Sequence, residues 1–217
     1  MEQIHFEKAI NALSTSWLQL DRNNEAYPTD WQNVRLIKCQ NGGHYVRITR
    51  NAPEQRGGEY QATRADDLAE DHILDIDDGD EESLPKFTTE STTRSSTILV
   101  TYDIIYSHTY QVPVLYIHRP ASSHQLLNEL YAPASQVVGI MGGITLVDHP
   151  EIGKPVYFIH PCRTQEAVRV VLGPKHVDGL NWLMVWFGVI GTTVGLNVPV
   201  KVAEAVSKVG QKRGGAK

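Results

Sequence analysis

Two alternating runs near the middle of the chain restrict the fold more than any other feature: TILVTYDIIYS at 97–107 and TYQVPVLYIHR at 109–119. In the first, Ile98, Val100, Tyr102, Ile104 and Tyr106 share one side, the period of two that marks a strand. Only Ser107 and His108 separate the runs, so they predict an antiparallel pair. Pro113 has no N–H to give to a ladder, which predicts an edge strand or a bulge in the second run.

Upstream, Phe6, Ile10, Leu13 and Trp17 recur at helical spacing and predict an amphipathic helix over about 3–20. VRLIKCQ and HYVRITR flank the turn residues NGG at 41–43, a hairpin with Cys39 as a small half-buried residue of its first arm. Downstream, a short helix HQLLNELY follows a Ser122 or Ser123 cap. KPVYFIHPC then reads as a strand buried on both faces, stopped by Pro161. Thr164 is placed to cap a next helix carrying Ala167, Val168 and Val171. Residues 179–200 hold no charge and are long enough to cross a bilayer. Their Asn, Thr, Gly and Pro content favours one or two helices packed inside the domain over a membrane anchor.

The net charge of -5 gives no reason to expect nucleic acid, and it is unevenly distributed. Residues 66–82 hold 10 carboxylates and no Lys or Arg, leaving +5 on the remainder. They lie in a stretch, 51–95, that reads as a long acidic insertion, largely disordered. A calcium loop counted from Asp75 fails, since Gly79 falls at position five and Lys86 at position twelve. The expected organisation is one domain over 1–205 and a flexible tail over 206–217.

There are 2 cysteines. No apolar leader opens the sequence, so the expected compartment is the reducing cytoplasm and both thiols are expected free. A zinc site is disfavoured, because His160 and Cys162 are two donors without a C-x-x-C pair, and Gln165 stands where P-C-x-x-C needs its second cysteine. Cys162, at a strand-to-helix junction, is where a thiol can act as a nucleophile, with His160 two residues before it as an auxiliary group. On these residues alone a structural cysteine and a nucleophilic one, as in a cysteine hydrolase, both remain open.

YFIHPCRT, taken with YSHTYQVPVLYIHR and WFGVIGTTVGLNVPV, resembles the E2-like conjugating enzymes of autophagy. The resemblance covers roughly 97–205 and leaves out the acidic insertion. It implies an α/β (α+β) fold: an E2-like core with an antiparallel sheet flanked by helices. It also implies that Cys162 accepts a ubiquitin-like modifier, autophagy protein twelve, as a thioester from an E1-like enzyme. The modifier would then pass to a lysine of autophagy protein five, with no metal or organic cofactor. Tyr110 matches a family tyrosine near the thiol, and His160 comes third among the implied site residues. If 110–118 is an edge strand, the acceptor could pair with it directly. The alternatives are a non-catalytic binding module of the same fold and a hydrolase using Cys162.

Overall fold

The computed structural model describes residues 1–22, 30–53, 97–118, 143–174 and 177–214. The helix HQLLNELY and the acidic run 66–82 lie outside them.

Helix α1 (Gln3–Arg22) is followed by the hairpin β1 (Trp31–Lys38) and β2 (His44–Pro53), then by β3 (Thr97–Ser107) and β4 (Val112–His118). A second hairpin, β5 (Ile144–Asp148) and β6 (Pro155–Ile159), leads into α2 (Thr164–Leu172), α3 (Gly179–Val189), a 3-10 turn at Gly191–Val194 and α4 (Val200–Gly214). The six strands make one sheet in the order β1-β2-β3-β4-β6-β5, antiparallel at every neighbouring pair.

The alternation that predicted β3 sorts its two faces. Val100, Tyr102 and Ile104 join Val46 and Ile48 of β2 and Leu115 and Ile117 of β4 in the core. Phe6, Ile10 and Leu13 of α1 close over them, with Leu183, Trp186 and Phe187 of α3 and Val202 and Val206 of α4. Trp31 and Phe187 meet at 5.8 Å between ring centroids. The uncharged stretch 179–200 thus becomes α3 and the 3-10 turn inside the domain, and no described helix is long and apolar enough to cross a membrane. Asp178 caps α3, its carboxylate accepting from the Asn181 N–H at 2.9 Å. Gly179 lets the start of α3 lie against α1: a Cβ there would sit 2.6 Å from the His5 carbonyl oxygen.

Several expectations need correction. The strand around Pro113 is not an edge: β4 pairs with β3 on one side and β6 on the other, and the edges among the described strands are β1 and β5. The proline is tolerated because β6 flanks β4 only from Leu115 to His118. β6 therefore closes Leu115–His118 to a pairing partner, and among the described strands only Val112–Val114 has no strand beside it on that side. Cys39 lies one residue past β1, where its N–H bonds Gly43 O at 2.7 Å and its carbonyl takes the Gly42 N–H. Thr164 is not a cap. The Arg163 carbonyl takes the first helical bond, from Ala167 N–H, which makes Arg163 the cap and Thr164 a buried first-turn residue. Of the two valines named on that helix, Val168 is buried and Val171 is exposed. Strand β2 runs to Pro53, into the stretch read as insertion from 51. Past residue 205, Val206 is still in the core and α4 continues to Gly214.

Candidate functional site

The sheet opens at one corner. Extending the β4–β6 register, Leu115 opposite Ile159, by two residues sets Pro113 against Pro161, and neither can donate. His160 still bonds sideways, its N–H to Gly143 O at 3.2 Å. Beyond it the chain leaves the sheet, Pro161 O accepting from Thr164 N–H at 3.0 Å as α2 starts. Cys162 sits in this exit and is exposed.

Three predicted residues converge there. The backbone N–H of Cys162 donates to His160 Nδ1 at 3.2 Å, and His160 Nε2 lies 3.1 Å from the Tyr110 hydroxyl oxygen. A backbone N–H can only donate, so Nδ1 must present its lone pair. In the neutral ring the proton is then on Nε2 and is donated to Tyr110. The phenol proton is left for a third group. His160 also meets two rings edge-on, Tyr110 at 5.3 Å and 73° and Phe158 at 5.9 Å and 88°. Tyr110 is carried by the tight β3–β4 turn, in which its N–H bonds Ser107 Oγ and the Gln111 N–H bonds Ser107 O at 2.7 Å. Gln111 holds φ at 54°, a left-handed conformation that costs a non-glycine residue about 1 kcal/mol.

Cys39 contrasts with Cys162. Burial, followed by the charges of Glu151 and Glu7, pushes its thiol up to about 11, so it is almost entirely protonated at neutral pH.

A second polar centre was not singled out from the sequence. Asp103 of β3 is fully buried on the sheet face turned away from the helices. Arg47 grips it with Nε and Nη2, both at 2.7 Å, while His118 and His149 Nε2 approach Oδ2 at 2.6 and 2.9 Å. Burial raises its carboxyl, but the bonds from Arg47, His118 and His149 outweigh that and hold it well below the usual carboxylate range. The only sequence signal was a lone carboxylate inside the apolar run TYDIIYS.

Asp103, His118 and His149 have the spacing of a metal set, with ligand atoms within 4.8 Å of one another. Their bonding argues otherwise. The Glu151 N–H donates to His149 Nδ1 at 3.1 Å, so Nε2 bears the proton and has no lone pair for a cation. The Arg47 guanidinium already neutralises the carboxylate.

Residues 5–201 match the family described as Autophagocytosis associated protein, active-site domain. The chain is similar to ubiquitin-like-conjugating enzyme ATG10 of Homo sapiens, 33% identical over 130 residues, 55% of this chain and 59% of that protein. It is also similar to ubiquitin-like-conjugating enzyme ATG10 of Gibberella zeae, 32% identical over 149 residues, 63% of this chain and 60% of that protein. For the enzyme of the same name from Dictyostelium discoideum the figures are 32% over 123 residues, 47% and 53%. The chain thus spans between half and three fifths of the length of these curated relatives. The match contains the whole sheet, the Tyr110 turn and the His-Pro-Cys junction, and on it the chain belongs to the autophagocytosis-associated protein, active-site domain family.

Proposed function

We propose that this chain is an E2-like conjugating enzyme whose Cys162 carries a ubiquitin-like modifier as a thioester. The observation that carries the reading is the exposed Cys162 thiol at the sheet corner, its backbone held by His160 and that ring bonded to Tyr110. A structural cysteine in a binding module would be buried, as Cys39 is.

In the first step the Cys162 thiolate attacks the carbonyl of the modifier's C-terminal glycine, held as a thioester on an E1-like enzyme, and the E1 thiolate leaves. In the second, an acceptor lysine amine attacks the same carbonyl, loses a proton to solvent and expels the Cys162 thiolate. Thioester exchange is nearly balanced and isopeptide formation runs downhill, so the protein's part is orientation and charge stabilisation. The Cys162 N–H is already committed to His160, and the donor we assign to the tetrahedral oxyanion is the Tyr110 hydroxyl, whose proton His160 does not take. The names of the relatives support a modifier of the ubiquitin-like class. Autophagy protein twelve is the modifier we propose, and autophagy protein five the acceptor.

The test is a charging reaction with the E1-like enzyme, the modifier and ATP, resolved on reducing and non-reducing gels. Wild type and Cys39→Ser should give a reductant-sensitive adduct, and Cys162→Ser none or a reductant-resistant one. A folded wild-type protein that takes no modifier from an active E1 would reverse the reading in favour of a binding module.

A further inference from the structure

An antiparallel sheet with helices on one face ordinarily leaves the other to water. Here that face holds a carboxylate and an imidazole, Asp103 and His149, both with fully buried side chains. Burying a carboxylate is costly until its hydrogen-bonded partners repay it, and a well-packed apolar cluster does as well or better for stability alone.

The cluster fastens a strap. His149 belongs to the β5–β6 turn, which folds back across the sheet until His149 reaches Asp103 of β3 and Glu151 receives the Gln40 N–H at 2.7 Å. From the buried imidazole a row of rings runs toward the thiol. His149 lies 5.3 Å from Tyr116, Tyr116 lies 5.4 Å from Phe158, and Phe158 lies 5.9 Å from His160. Tyr116 and Phe158 are register partners on β4 and β6, so the row lies on one face of the sheet.

The row ends at a group whose orientation the backbone leaves open. The χ2 torsion of histidine is broad and roughly two-fold, and a half-turn of the His160 ring would replace Nδ1 by a carbon opposite the Cys162 N–H. Phe158, at 88° to that ring, sets the plane of the ring by an edge-to-face contact, within which the Cys162 N–H and the Tyr110 hydroxyl choose between the two half-turns.

We infer that Phe158 is a positioning residue: it passes the placement of the Asp103–His149 anchor to the His160 ring, and through that ring to the Cys162 backbone and the Tyr110 hydroxyl. The activity readout of this inference rests on the carrier reading above; the spectroscopic readout does not.

The experiment compares the full chain with Phe158→Leu and Phe158→Tyr, using nitrogen NMR of the His160 ring assigned against His160→Gln, alongside single-turnover discharge of the modifier. Wild type should show one acceptor and one protonated ring nitrogen, and Phe158→Tyr should keep both signals. Phe158→Leu should bring the two signals toward each other and slow discharge by about tenfold or more. Should Phe158→Leu not fold, Phe158→Met keeps volume without a ring and carries the same readout. A folded Leu or Met variant with wild-type ring signals overturns the inference, whatever its discharge rate. Converged ring signals in a protein whose wild type never charges would uphold the positioning role and sink the carrier reading.

Discussion

Replacing Arg47 by Met removes the guanidinium that grips Asp103 but keeps much of the aliphatic stem along the sheet. Asp103 would remain fully buried with only His118 and His149 as donors. Breaking a buried pair from one side costs about 3–5 kcal/mol, and the part-exposed Arg47 puts this pair near the lower end. For a chain of this size the midpoint should fall by about 6–12 °C. The pH dependence identifies the cause. The folded Asp103 carboxyl lies below its unfolded value, so its contribution is complete above about pH 3.9 and is lost as the pH falls toward the folded value. Without Arg47 the folded carboxyl rises, and less of that contribution exists to lose. The gap between wild type and Arg47→Met should therefore be widest at pH 7 and narrow by pH 3. Urea unfolding at both values, followed by the fluorescence of the fully buried Trp31 and Trp186, measures it. A gap below about 1 kcal/mol at pH 7, or one equally wide at pH 3, would refute the argument.

Other expectations concern the thiols, the phenol and the packing of α3. Iodoacetamide on the native chain at pH 8 should label Cys162 and spare Cys39, whose thiol is both buried and pushed up to about 11; mass spectrometry of the peptides decides it. Tyr110→Phe should still charge but discharge about 100-fold more slowly in single-turnover assays, the usual cost of one oxyanion donor. Gly179→Ala should lose about 1–3 kcal/mol in denaturant unfolding, because the new Cβ would meet the His5 carbonyl at 2.6 Å. Gly188→Ala in the same helix, where a Cβ meets nothing within 4 Å, should be neutral or stabilising by up to about 1 kcal/mol.

Much of the fold could be read from periodicity. Phe6, Ile10 and Leu13 marked the inner face of α1, and Val100, Tyr102 and Ile104 that of β3, because those spacings follow from the geometry of helix and strand. What periodicity does not carry is who pairs with whom. Pro113 is compatible with an edge, a bulge or the end of a shared ladder, and only β6, supplied by residues 155–159, decides that β4 is interior. Thr164 had the chemistry of a cap, but Pro161 O takes its N–H and draws it into the first turn. His-Pro-Cys, with the resemblance to lean on, pointed to Cys162, Tyr110 and His160, and these do meet. Asp103 was missed because a charge in an alternating strand ordinarily faces water. Its burial is made by Arg47, His118 and His149, contributed from three other places in the chain.

Strands β2 and β3 pair all the way to Pro53 opposite Thr97, so the two ends of the 54–96 connection are cross-strand neighbours. Any connection able to turn a hairpin can join them, and the entropy of closing it grows only with the logarithm of its length, about 0.6 kcal/mol per doubling. Length at this point is therefore a nearly neutral variable. The chain can gain or lose tens of residues between Pro53 and Thr97 while β3, whose far end opens the turn that carries Tyr110, keeps its register, and with it the distance from phenol to imidazole.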